Sequence, residues 1–135
     1  MERYGVVRRL AFCYGHRIRG HEGGCRFVHG HNAVVEVECR GPLDALGMVV
    51  DFGEIGRRVD SWIEANWDHR MILKRGDPLV AILKGLGDPV YELEGDPTAE
   101  NLAAELFGVA KAADLPVHAV RFWETPTSMA SFGGA

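Results

Sequence analysis

The sequence lacks the features that mark secreted, membrane-spanning and nucleic-acid-binding proteins. It has only three cysteines in 135 residues, with no CxxC pair, so we expect no disulfide framework and a reducing, cytoplasmic location. No apolar run approaches the ~18 residues of a membrane span, and the N-terminus has no apolar segment of a secretory signal. With a net charge of -4 and no basic run, we expect no nucleic-acid partner.

What the sequence does contain is enough apolar residues for one core. They make up 47% of the chain, and we expect residues 1–135 to form a single domain. The charge is uneven, because basic side chains, all of them Arg, outnumber acidic ones in residues 1–40 and acidic ones prevail afterwards. An anionic ligand such as a phosphate would be attracted to the first region. A merely solvated, charged strand is the alternative.

The apolar periodicity predicts an α+β fold. Alternation with period two predicts strands, and a stripe with period 3.6 predicts helices. The strands are expected at residues 4–14, 29–40, 90–93 and 117–124, and the helices at 51–66 and from Asp96-Pro97 to Pro116, with a short helical piece near 78–83. We therefore expect a four-stranded antiparallel sheet with two helices on one face, and with the first two strands as neighbours.

The stretch from Cys25 to Asn32 is the most informative part of the chain. His29 and His31 are two residues apart in a predicted strand, so both imidazoles point to the same side of it. They share that register with the apolar residues of the strand, and His16 follows the preceding strand. Three imidazoles with an open fourth position are the arrangement of a catalytic zinc site, whereas structural zinc sites have four protein ligands.

Cys25 decides what kind of site this is. It lies in a glycine-containing loop, residues 17–28, beside Arg26 and four residues before His29. It could be a fourth metal ligand, or a nucleophile or base beside the metal. The simpler alternative is that the histidines are ordinary polar loop residues and that Cys25 is a small buried side chain. Cys13 and Cys39 lie within strands and are expected to be ordinary buried residues.

Other residues could also carry chemistry. Asp68 precedes His69, and a carboxylate beside an imidazole can orient it for proton transfer. The alternative is a histidine that interacts with the carbonyl groups at a helix end. Glu124 lies on an apolar strand face, where its carboxylate needs hydrogen-bond donors, from a ligand or from backbone amides. Thr98 and Glu100 are most simply residues of the first turn of a helix.

Taken together, these residues resemble the 6-pyruvoyltetrahydropterin synthase and 6-carboxytetrahydropterin synthase family. The resemblance runs from about residue 5 to residue 130. Its most specific element is Cys25-x-x-x-His29-Gly30-His31-Asn32. The supporting elements are Phe12-x-x-x-His16, Gly47-Met48-Val49-Val50-Asp51-Phe52, Asp68-His69, Pro97-Thr98-Ala99-Glu100-Asn101 and Glu124-Thr125. One departure is Tyr14-Gly15, where many members have two alanines before the first histidine.

The resemblance implies a role for each of these residues. His16, His29 and His31 would bind Zn²⁺, Cys25 would be the catalytic thiol, and Asp68 with His69 would form a proton relay. Glu124 would hold the N–H groups of the pterin ring, and the region from Thr98 to Glu100 would approach the pterin from an adjoining subunit. The fold would be the tunnelling fold, in which the sheets of several subunits join into a barrel, usually in a homohexamer.

The resemblance also implies an activity. The substrate would be 7,8-dihydroneopterin triphosphate, and the enzyme would be a zinc-dependent lyase. We favour the 6-carboxytetrahydropterin synthase reaction, a step toward 7-deazaguanine and queuosine, over the 6-pyruvoyltetrahydropterin synthase reaction of tetrahydrobiopterin-type biosynthesis. A non-catalytic zinc- or pterin-binding module is the alternative of a different class, and it predicts a closed metal shell with Cys25 as the fourth ligand.

Overall fold

The computed structural model describes residues 3–134 of the chain. The strands are β1 (Gly5–His16), β2 (His29–Arg40), β3 (Arg70–Lys74), β4 (Val90–Leu93), β5 (Val117–Thr125) and β6 (Ser128–Gly133). The helices are α1 (Phe52–Asn66), α2 (Pro78–Gly85) and α3 (Ala99–Ala112). A single 3₁₀ turn, Gly24–Arg26, interrupts the loop between β1 and β2.

All six strands form one sheet in the order β4-β3-β1-β2-β5-β6. The expected antiparallel pair of β1 and β2 is confirmed, with register from Gly5↔Arg40 to His16↔His29. The expectation of four antiparallel strands is wrong, because the sheet has six strands and is mixed. β3 runs parallel to β1, and β4 runs parallel to β3. β5 and β6 continue the sheet in antiparallel fashion on the other side of β2.

Helices α1 and α3 cover one face of the sheet, as their apolar stripes predict. In α1, Asp51 caps the N-terminus by accepting a hydrogen bond from the Gly53 N–H at 2.7 Å. Each helix buries one stripe against the inward side chains of the central strands. The core they share includes Val35, Val37, Ile55, Val59, Ile63, Leu102, Leu106 and Phe122, all fully buried.

Two boundaries differ from the prediction in ways that affect the site. β1 extends to His16 rather than ending at Tyr14, so His16 pairs directly with His29 across the two strands. α3 begins at Ala99, capped by Thr98, rather than at Pro97. The Pro97 carbonyl is therefore free of the helix and is available to another partner. Among the described residues, no helix is long and apolar enough to cross a membrane.

Candidate metal and pterin site

Three histidines converge where β1 and β2 meet the loop between them. His16 is the last residue of β1, and His29 and His31 begin β2 on the inward side of the sheet. The ring centroids are 4.5 Å apart for His16 and His29, 5.1 Å for His16 and His31, and 4.9 Å for His29 and His31. The Nε2 atoms of His16 and His29 are 3.0 Å apart. One ligand atom from each histidine lies within 4.8 Å of those of the other two.

Backbone carbonyls orient two of the three rings. His16 Nδ1 is 2.7 Å from the Pro97 carbonyl, and His29 Nδ1 is 2.7 Å from the Phe27 carbonyl. In each ring the Nδ1–H donates, so Nε2 keeps its lone pair and faces the other histidines. A hydrogen bond of this kind to the second nitrogen is the usual way in which proteins fix a metal-binding imidazole.

Burial favours the neutral form of these rings. It lowers the pKa of His16 to about 4, against a weaker opposing effect of the Pro97 carbonyl. Burial also lowers the pKa of His31, although the negative charge of Glu124 acts in the other direction. Neutral imidazoles are the forms that bind metals.

The cluster fits a metal ion. His31 Nε2 is buried and has no hydrogen-bond partner in the part of the chain that the structure describes. A buried, unpaired polar atom is costly, and a metal would satisfy it together with the two neighbouring Nε2 atoms. Three imidazole nitrogens are ligands that zinc accepts readily.

Glu124 borders the cluster. It lies near the end of β5 on the same inward face as Phe122, and its Oε1 is 3.9 Å from His16 Nε2. Its side chain is 22% exposed, so it is accessible to a ligand while lying beside the histidines. This agrees with the expected position of Glu124 on an apolar strand face next to the site.

Tyr14 is the site residue that the sequence reasoning did not identify. Its side chain is 3% exposed, and its ring packs against His16 and His31 at centroid distances of 5.0 and 5.7 Å. Burial, followed by the charge of Glu124, raises the pKa of the phenol above its ordinary value, so the hydroxyl stays protonated. The alternation of β1, which places Tyr14 in the register of Phe12 and His16, was the available signal. The neighbouring Gly15 leaves room for the Met71 sulfur, with which a Cβ at this position would overlap.

Cys25 lies in the 3₁₀ turn of the loop and is half-buried. Its carbonyl accepts a hydrogen bond from the Ile18 N–H at 2.7 Å, which closes the loop on itself. Among the described residues, His16, His29 and His31 offer ligand atoms that all lie within 4.8 Å of one another, and the Cys25 thiol is not part of this group. The geometry of this single chain therefore has three ligands and no fourth from Cys25.

Asp68 and His69 form the expected pair, with His69 Nδ1 3.0 Å from Asp68 Oδ1. The pair packs on Cys13, whose N–H donates to Asp68 Oδ1 at 3.2 Å and whose thiol lies 3.9 Å from the same oxygen. Burial acts to raise the pKa of Asp68, but the Cys13 and His69 hydrogen bonds outweigh it and the pKa is lowered. The expectation that Cys13 is an ordinary buried residue is wrong, because it is half-buried and contacts this carboxylate. Cys39 is fully buried as expected.

The Asp68–His69 pair and the histidine cluster lie on different sides of β1. Cys13 and His16 point to opposite faces of that strand, because side chains alternate. The His69 side chain is 79% exposed. A cleft of about 490 Å³ is nevertheless lined by both His31 and His69, so the two groups border one opening.

The sequence and the fold of this chain are similar to those of known proteins. The family model described as PTPS, 6-pyruvoyl tetrahydropterin synthase, matches residues 5–135. The chain belongs to this family. One relative in the 6-pyruvoyl tetrahydropterin synthase family is the 6-carboxy-5,6,7,8-tetrahydropterin synthase of Rickettsia bellii. The two sequences are 44% identical over 103 residues, and the aligned region covers 74% of this chain and 75% of that protein.

Two further relatives of the 6-pyruvoyl tetrahydropterin synthase family span almost the whole chain. The 6-carboxy-5,6,7,8-tetrahydropterin synthase of Haemophilus influenzae is 29% identical over 138 residues, covering 96% of this chain and 98% of that protein. The structure of Caenorhabditis elegans 6-pyruvoyl tetrahydropterin synthase superposes with a TM-score of 0.73 at 25% identity, covering 98% and 96% of the two chains. The expected tunnelling fold is therefore confirmed at the level of the single subunit.

The last two expected site residues of this family member lie at the start of α3. The Thr98 hydroxyl accepts a hydrogen bond from the Asn101 N–H at 3.2 Å, and Glu100 is in the first turn. Both therefore have the helix-start positions that the sequence predicts. Thr98 directly follows Pro97, whose carbonyl holds His16, so the N-terminus of α3 is adjacent to the histidine cluster.

Proposed function

We propose that this chain is a zinc-dependent 6-carboxy-5,6,7,8-tetrahydropterin synthase that acts on 7,8-dihydroneopterin triphosphate, a step toward 7-deazaguanine and queuosine. The observation that carries the proposal is the cluster of His16, His29 and His31, with the buried Nε2 of His31 lacking a partner. The names of the relatives from Rickettsia bellii and Haemophilus influenzae support the choice of product.

In this proposal the three histidines hold zinc and the other groups handle the substrate. Zinc, when bound, supplies Lewis-acid polarisation of the side-chain oxygens of the substrate. Cys25, in its loop beside Arg26, removes a proton from the substrate side chain. His69, oriented by Asp68, returns a proton. The carboxylate of Glu124 accepts the N–H groups of the pterin ring.

We also propose that the active enzyme is a cytoplasmic homohexamer with sites at subunit contacts. The exposure of His69 and its position on the side of β1 opposite to His16 support this, because a second subunit could bring such a pair to the metal of its neighbour. The region from Thr98 to Glu100, which lies beside the histidine cluster of its own chain, would at a subunit contact reach the pterin of an adjoining subunit. The exposed apolar side chains of Phe27 and Val28, immediately before His29, are suited to such a contact.

Incubation of the zinc-loaded protein with 7,8-dihydroneopterin triphosphate tests the activity. We expect release of triphosphate and acetaldehyde together with a carboxylated pterin. A pyruvoyl product without acetaldehyde would instead support the 6-pyruvoyltetrahydropterin synthase activity, which the Caenorhabditis elegans structure makes the second candidate. Binding of the pterin without turnover would support the non-catalytic module.

A further inference from the structure

Within residues 3–134, the hydroxyl group of Tyr14 has no partner at hydrogen-bond distance. The side chain is 3% exposed, and the oxygen makes no hydrogen bond within residues 3–134. Buried polar groups in folded proteins are almost always paired, and an unpaired one costs about 1–3 kcal/mol. A phenylalanine at this position would avoid that cost while filling the same space among the aromatic rings.

A second unpaired atom lies next to it. Tyr14 and His31 are directly opposite each other on β1 and β2, and both side chains point to the inward face. Their rings are 5.7 Å apart, and His31 Nε2 is also buried without a partner. Two neighbouring buried atoms without a partner, a phenol hydroxyl and an imidazole nitrogen, indicate a binding site beside them. A metal would bind the nitrogen, but it cannot accept a hydrogen bond from the phenol.

No acceptor within residues 3–134 meets the phenol at hydrogen-bond distance, so an oxygen that arrives with the ligand can pair with it. The Tyr14 ring packs against His16 as well as His31. Glu124, beside His16, is the competing acceptor, because after burial its charge and its capacity to accept a hydrogen bond raise the pKa of the phenol. We propose that the Tyr14 hydroxyl is a substrate-contacting hydrogen-bond donor, which binds an oxygen of the substrate side chain next to the histidine cluster. This inference rests on the proposed function, since it concerns the same pterin substrate.

The consequence is selectivity for the side chain of the pterin. A site built to hydrogen-bond an oxygen of the ligand binds an analogue without that oxygen less well, because the donor is then left unpaired. Glu124, in contrast, is proposed to hold the ring, which all pterins share. The two residues should therefore affect different parts of the ligand.

Two pterin probes and two variants separate these contributions. Neopterin carries side-chain hydroxyls, whereas 6-methylpterin has the same ring without them. Dissociation constants are measured by fluorescence titration on zinc-loaded native protein, on Tyr14→Phe and on the matched control Tyr91→Phe. Tyr91 lies in β4, and its hydroxyl donates to Glu105 at 2.6 Å, away from the site.

We expect Tyr14→Phe to weaken neopterin binding about tenfold, the usual effect of one hydrogen bond, and to leave 6-methylpterin binding within about twofold. Tyr91→Phe should change neither, and zinc content should be the same in all three proteins. Equal weakening of both probes by Tyr14→Phe would overturn the assignment, because the phenol would then act through Glu124 on the ring. Unchanged neopterin binding, or loss of zinc, would also overturn it. If the native protein binds neither probe, the proposed function itself fails and the assignment falls with it.

Discussion

At the scale of single residues, the metal assignment depends on three imidazoles that offer nitrogen atoms close to one another. His31 Nε2 makes no hydrogen bond within residues 3–134, so removal of His31 should disrupt the ligand set most cleanly. We expect His31→Ala to lose most of the roughly one zinc per chain that the native protein binds, as measured by elemental analysis. The fold should persist, because His31 lies at the edge of the core rather than within it.

His21→Ala is the matched control for that variant. His21 lies in the loop between β1 and β2 and is exposed, and its Nδ1 accepts a local hydrogen bond from the Gly23 N–H at 2.8 Å. Its zinc content should equal that of the native protein. Full zinc occupancy in His31→Ala would remove the histidine cluster as the metal site.

Cys25 carries the second prediction at this scale. Removal of a general base typically slows a reaction by ~10²–10⁴-fold, so we expect Cys25→Ala to lose at least that much turnover while it keeps zinc and pterin binding. Steady-state kinetics and zinc analysis measure the two effects. Cys39→Ala removes a fully buried thiol far from the loop and should keep its rate. Loss of zinc in Cys25→Ala would make the thiol a ligand, and near-native turnover would make His69 the base.

The positions of single site residues could be predicted from the sequence where they lie in one strand with alternating side chains. His29 and His31 could be placed on one face because alternation within β2 fixes both. The roles of Tyr14 and of the Pro97 carbonyl could not be predicted, because each depends on a partner brought in by the tertiary fold. Pro97 is 81 positions away from His16 along the chain, and no local pattern connects them.

At the scale of elements, an ion pair fixes the loop that carries Cys25. Arg17, directly after β1, makes two hydrogen bonds to Asp77, the N-cap of α2, one of them Nε to Oδ2 at 3.0 Å. The Asp77 side chain is 2% exposed. Asp77→Asn keeps a capping side chain but loses the charge, and we expect it to lower the free energy of unfolding by about 2 kcal/mol, as for a charged hydrogen bond.

The pH dependence of that loss identifies its cause. The hydrogen bond from Arg17 lowers the pKa of Asp77 in the folded protein, so the stabilisation is complete above the ordinary aspartate pKa of about 3.9. It is lost as pH falls through the lowered folded-state pKa. In urea unfolding, the free energy of unfolding of the native protein should therefore exceed that of Asp77→Asn by the full amount near pH 6. This difference should disappear in acid. Asp96→Asn is the control, because the Asp96 side chain is 44% exposed and only 3.9 Å from Lys74 Nζ in a loose surface pair. A pH-independent difference for Asp77→Asn would contradict the ion-pair explanation.

The helices and strands that could be predicted from the sequence are those whose apolar residues repeat with a clear period. β2 and α1 were placed closely, because their inward positions are apolar apart from His29 and His31 at the start of β2. β3 was missed because it is only five residues long and lies between two other sheet strands, so its apolar run lacks alternation. β6 was missed because almost all of its residues are exposed and its pattern is weak. β6 is held by its pairing with β5 rather than by burial, whereas β3 also buries Ile72 and Leu73.

At the scale of the whole molecule, the open edges of the sheet favour assembly. β6 is an edge strand that exposes Met129 and Phe132, and an exposed apolar edge is a site for pairing with another chain. We expect light scattering to give about six times the 14.9 kDa mass of one chain. Met129→Lys should weaken this assembly, whereas Leu46→Lys, in the exposed turn before α1, should not. A stable monomer that retains activity would reject the assembly proposal.

X-ray absorption at the zinc edge of the resting protein distinguishes an open site of three histidines from a closed site that includes Cys25. We expect three imidazole nitrogens at about 2.0–2.1 Å, a light-atom ligand in the remaining position and no sulfur. The basis for this expectation is that Cys25 is outside the histidine group in the described structure. A zinc–sulfur distance of about 2.3 Å, or fewer than three imidazoles, would show that the site is not an open one formed by the three histidines.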